Sequence, residues 1–104
     1  MVLASLEYDR DVWRVGEDFH CGLWIINDHW YPIEAARIRW KIVDSSGVVA
    51  SRGQLDVNIA EDSSAKLEDL RWKASSAGNY ELRAEVSDRD GKRLSENLYE
   101  FEVK

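Results

Sequence analysis

The chain contains no threonine, one cysteine, one proline and two histidines among its 104 residues. Its single thiol, Cys21, excludes an internal disulfide and a cysteine-based zinc cage, so stability must come from packing. His20 and His29 have no third ligand at metal spacing, and no metal or cofactor site is expected. No stretch reaches the roughly 18 consecutive apolar residues of a membrane-spanning helix. The start, Met1-Val2-Leu3-Ala4-Ser5-Leu6-Glu7, lacks the basic region and long apolar run of a secretion signal. Positive charge is also scarce: 14 Lys and Arg against 20 Asp and Glu leave a formal charge of -6. Such a balance repels phosphate backbones and anionic lipid, so neither nucleic acid nor a membrane surface is expected as a partner. The missing threonine runs against the usual composition of strands.

What is present is a short chain rich in apolar residues, 44% of the total, with five tryptophans. At this size about 65% of the unfolded chain's surface can be buried, enough for one modest core and too little for a large internal catalytic cavity. Residues 1–104 are read as a single domain.

Period-two alternation recurs six or seven times along the chain, which predicts an all-β, immunoglobulin-like antiparallel sandwich of about seven strands without a disulfide. Val2, Ala4, Leu6 and Tyr8 form one face of the first strand, and Val12 to Gly16 makes a crossover. In the strand over 17–27, Phe19, Cys21, Leu23 and Ile25 share one face, while His20, Gly22, Trp24 and Ile26 share the other. Both faces are partly apolar, so something must cover the second. Asn27 to Pro32 is a loop. Then Ile38, Trp40 and Ile42 face inward while Arg37, Arg39 and Lys41 form a basic stripe outside. Asp44-Ser45-Ser46-Gly47 is a tight turn, and Gly53 is read as a bulge on the returning strand. Leu67 and Leu70 fall on opposite parities within 63–72, which calls for a bulge or a one-residue slip. Tyr80, Leu82, Ala84 and Val86 face inward, Asp88-Arg89-Asp90-Gly91 is a hairpin, and Tyr99, Phe101 and Val103 return. Gly78-x-Tyr80 stands where a tyrosine corner belongs. Alternation up to both ends suggests a piece of a longer chain.

Chemistry has few footholds. Glu81, Glu85, Glu100 and Glu102 alternate with core residues and read as a solvated face, not as the paired acid and nucleophile of a glycosidase. Asp88-x-Asp90-Gly91 resembles the start of a calcium loop, but the closing glutamate and flanking helices are missing. Cys21 shares parity with Phe19 and Leu23 and reads as an inert core thiol. Trp13, Trp24, Trp30, Tyr31 and Trp72 are not assigned to the core by periodicity alone. Flat aromatic faces stack on sugar rings and equally anchor domain interfaces. Trp24, Asn27, Asp28, Trp30, Tyr31 and Trp72 are therefore the candidate residues for a glycan or a domain contact, with Trp30 and Tyr31 foremost because they are adjacent in a loop. No catalytic residue is assigned.

The runs Leu23-Trp24-Ile25-Ile26-Asn27-Asp28, Arg37-Ile38-Arg39-Trp40-Lys41-Ile42-Val43-Asp44-x-x-Gly47, Tyr80-Glu81-Leu82-Arg83 with Asp88-x-Asp90-Gly91, and Ser95-Glu96-Asn97-x-Tyr99-x-Phe101 resemble the immunoglobulin-like sandwich domains of family 2 glycoside hydrolases. The likeness is to the β-mannosidase, exo-glucosaminidase and β-galactosidase type and covers nearly the whole chain. It implies a non-catalytic accessory domain that follows and buttresses a catalytic barrel of the same parent chain, with the Asn27 to Tyr31 loop placed toward the substrate pocket. Nothing here resembles the Asn-Glu segment of that barrel's site, so no acid or nucleophile carries over. Two other functions stand beside this one: a carbohydrate-binding module stacking an oligosaccharide on Trp30 and Tyr31, and an adhesion or inhibitor-type sandwich that docks protein by an edge strand.

Overall fold

The computed structural model of the chain describes residues 2–104. Its elements are β1 (Val2–Glu7), β2 (Val12–Trp13), β3 (Asp18–Asn27), β4 (Ile33–Asp44), β5 (Val49–Ile59), β6 (Ser63–Lys73), β7 (Gly78–Ser87) and β8 (Arg93–Val103). They form a three-stranded sheet in the order β1-β3-β6 and a five-stranded sheet in the order β2-β8-β7-β4-β5. The expected immunoglobulin-like sandwich is what is found, with one strand more than about seven. The extra element is the two-residue β2, which lies in the expected crossover and pairs parallel with β8. All other pairs are antiparallel.

The alternating residues meet between the sheets. Ala4, Phe19, Cys21, Leu23 and Ile25 of the smaller sheet pack on Ile38, Ile42, Leu82, Ala84, Val86 and Phe101 of the larger. Burying each large apolar side chain contributes about 1.5–3 kcal/mol, which makes this the main source of stability. Ser95 Oγ accepts from the Ala4 amide and Asn97 Nδ2 donates to the Ala4 carbonyl, tying β1 to β8 across the sheets.

Aromatic rings close one end. Trp13 is 1% exposed, packs on Phe19 and donates from Nε1 to the Tyr99 hydroxyl at 3.1 Å, while the Arg10 guanidinium lies 3.8 Å over its ring. Tyr80 makes the expected tyrosine corner, its hydroxyl donating to the Ser76 carbonyl at 2.8 Å. The β4–β5 and β7–β8 turns share one construction. Asp44 Oδ1 accepts from the Ser46 and Val48 amides, Asp88 Oδ1 from the Asp90 and Lys92 amides, and Gly47 and Gly91 take φ of 86° and 85°. Glycine has no Cβ to oppose that conformation.

Two register details follow from packing. The parity conflict in β6 is a bulge: Leu23 pairs with Glu68 and Trp24 with Lys66, leaving Leu67 as the extra residue. Leu67 and Leu70 thereby both turn toward the core. Gly53, by contrast, is no bulge. It sits in regular register opposite Trp40, and a Cβ there would lie 2.5 Å from Trp40 Cζ2, so its bare backbone is the floor for the indole.

Candidate functional site

The loop between β3 and β4 stands at the end of the sandwich opposite the aromatic plug. It is anchored by Asn27, the last residue of β3, which is 1% exposed and paired with Val2 on one side and Ser63 on the other. Its Nδ2 donates to the carbonyls of Tyr31 and Ala60, each at 3.1 Å, and its Oδ1 accepts from the His29 amide at 3.0 Å. The Asp62 amide donates to the His29 carbonyl at 3.0 Å, so the loop is also sewn to the β5–β6 turn. A buried amide with both ends engaged is a brace for the loop.

Beyond this brace the loop is open to solvent. Trp30 is 94% exposed and Tyr31 56%, and the Tyr31 ring stacks on His29 with centroids 4.8 Å apart. Asp28 is exposed beside them. After Pro32 the chain enters β4 through a register shift between Ile33 and Ala36. Ala35 takes a φ of 53° there, with its amide donating to Asn58 Oδ1 at 2.9 Å. A left-handed alanine is a strained residue, and the strain sits at the foot of the loop.

The six candidate residues do not form one cluster. Asn27, Asp28, Trp30 and Tyr31 share the loop end. Trp24 lies on the outer face of the three-stranded sheet, half-buried, its Nε1 donating to Glu7 Oε1 at 3.1 Å. Trp72 belongs to the opposite end, its ring 5.0 Å from Tyr80, 6.3 Å from Phe19 and 6.2 Å from Phe101. Two contributors escaped sequence reasoning. His29 supports Tyr31, and Asp62, at a φ of 44°, carries the turn that holds the loop.

Cys21 lies between the sheets, and burial pushes its thiol up to about 12, which removes it as a nucleophile. Among the described residues, no group of three or more His, Cys, Asp or Glu is placed to hold a metal ion. The loop offers stacking surface and hydrogen bonds.

The fold is similar to a β-glucuronidase of glycoside hydrolase family 2 (TM-score 0.69, 14% identity, 98% of this chain and 11% of that one). It is similar also to the CARDB domain of a Pyrococcus furiosus protein in complex with di-metal ions (TM-score 0.69, 16% identity, 96% and 93%). A family 123 glycoside hydrolase from Clostridium perfringens matches at a TM-score of 0.61 with 10% identity, over 99% of this chain and 27% of that one. At these identities the likeness is one of fold, and the chain spans only a small part of either hydrolase. No curated protein matches it. The family model for the mannosidase Ig/CBM-like domain matches residues 20–103, which supports a carbohydrate-related accessory role. From β3 to the end of β8 the chain carries that family's pattern, and it belongs to the mannosidase Ig/CBM-like domain family.

Proposed function

We propose that the chain is a non-catalytic accessory domain of a glycoside hydrolase, and that the Asn27 to Tyr31 loop is its contact with the catalytic domain of the same parent chain. The observation that carries this reading is Trp30, an indole 94% exposed on a loop whose base is locked by a buried asparagine. An exposed tryptophan on a rigid support is the usual anchor of an interface. Val2 pairs with Asn27, so β1 begins at the end that displays Trp30 and Tyr31.

A second reading is favoured by the Tyr31–His29 stack, which holds one exposed ring of the loop in place as sugar-stacking sites do. In it the loop takes an oligosaccharide directly. One set of measurements separates the two. The purified chain should show no turnover of aryl β-mannosides, β-glucuronides or β-galactosides, and measurable hydrolysis overturns both readings. Titration with neutral manno- and gluco-oligosaccharides should leave tryptophan emission flat to millimolar sugar. A saturable change that is lost in Trp30→Ala favours the glycan site over the domain contact.

A further inference from the structure

The outer face of the five-stranded sheet gathers a second kind of chemistry. Cross-strand register sets Arg52 of β5 opposite Lys41 of β4, and Lys41 opposite Arg83 of β7. Three cations thus stand side by side in one row. Neighbouring cations on this face are matched, Arg37 with Asp56 at 2.8 Å and Arg93 with Glu85 at 3.2 Å and with Glu96 at 3.1 Å, and within the row Arg83 is matched by Glu81. Lys41 and Arg52 have no carboxylate at ion-pair distance among the described residues, and both are exposed. Like charges directly opposite one another destabilise a sheet. In a chain of formal charge -6, acidic residues were available to relieve this row, and one relieves Arg83 but none relieves Lys41 or Arg52.

The row lies in a depression of about 720 Å³ lined by Arg39, Lys41, Arg52, Gln54, Glu85 and Glu96 among others. That volume falls in the range of small-ligand sites, roughly 300–1,000 Å³, whereas a protein partner needs about 800 Å² of matched surface on each side. Its lining is mixed: cations for an acid group, and an amide and two carboxylates, the latter held by Arg93, to meet hydroxyls. Leu98, 47% exposed, continues the row beyond Arg83 and offers an apolar patch for a ring face.

We propose that this face binds an anionic saccharide, a hydroxyl-rich ring bearing a carboxylate or sulfate, with the acid group on Lys41 and Arg52. The need for an anion rests on the cation row alone, while the sugar class rests on the accessory reading above. The site is separate from the Trp30 loop.

The test is calorimetric titration at about 20 and 200 mM salt, where a contact of this kind weakens as ions screen it. The probes are trigalacturonate, a sulfated galactose disaccharide, neutral mannotriose and triglutamate. Expected are binding of the two acidic saccharides, no binding of mannotriose by Trp30→Ala, and a loss of at least tenfold in Lys41→Gln/Arg52→Gln. Trp30→Ala should bind the acidic saccharides unchanged, which keeps this site's outcome apart from that of the loop. Arg52→Gln alone, at the sheet edge, serves if the double variant does not fold. The proposal is overturned by no binding of either acidic saccharide at millimolar concentration, or by unchanged affinity in the variants. Triglutamate binding as tightly as trigalacturonate also overturns it, making the face a dock for acidic peptide.

Discussion

At the scale of single residues, the loop end owes its shape to two side chains whose types give little hint of their roles. Asn27 reads in sequence as one of the candidate contact residues; in the structure its amide spans two carbonyls and one amide and is sealed from water. Its partners, Ala60 and Tyr31, lie 33 and 4 residues away, and no local pattern joins them. Ala35 is the converse case, a residue that suits any strand but stands at a φ of 53°. Replacing Ala35 by glycine should raise unfolding free energy by about 1 kcal/mol, because an L-residue costs about 1–2 kcal/mol in this conformation and glycine does not. Urea denaturation of Ala35→Gly measures it; an unchanged or lower midpoint means that the strain is absent. Trp30 and Tyr31, in contrast, were legible as exposed, since two aromatics bracketed by turn formers and a proline have no strand face to join.

At the scale of elements, alternation carries most of the fold. β7 from Asn79 to Val86 and the second half of β8 follow it, and even the conflict between Leu67 and Leu70 was informative, since two leucines that both seek the core force an extra residue between them. Gly53 shows the limit. Period two records which way a side chain points along its own strand, not what the neighbouring strand lays across it, so the resting place of Trp40 read as a bulge. Gly53→Ala should cost about 1–3 kcal/mol, as the indole is driven from its floor. Trp40→Leu in the same chain should recover part of that loss, and a thermal-denaturation cycle over the four proteins checks it. Additive effects would show that the two residues do not meet. The row of Arg52, Lys41 and Arg83 was hidden for the same reason: the outward basic stripe of β4 is plain in sequence, but its continuation onto two other strands depends on register.

At the scale of the whole molecule, stability should be bounded on both sides of neutral pH. The Ser46 hydroxyl, followed by the Val48 amide, holds the Asp44 carboxyl below its ordinary value; Arg37 does so for Asp56 and Lys66 for Asp69. A depressed carboxyl stabilises the fold above its unfolded value, about 4, and this contribution is lost as pH falls through the folded value. Burial pushes Cys21 and Tyr99 up to about 12, so their contribution is complete below their unfolded values, about 8.5 and 10, and is lost as pH rises toward 12. Urea midpoints should therefore be level between about pH 5 and 8 and fall beyond both limits. A midpoint undiminished at about pH 11 would mean that the thiol and phenol ionise without cost.

The two sheets are of unequal width, and the outermost strand of the wider one, β5, keeps only Ile59 fully covered while Leu55 and Val57 stay half-buried. Protection against deuterium should therefore be graded across the sheet, deepest in β7 and shallowest in β5. Fluctuations that peel this margin away lift the floor from under the Trp40 indole and remove Arg52 from its row, and, because Ala60 follows β5 directly, they also pull on one of the two carbonyls that the Asn27 amide holds.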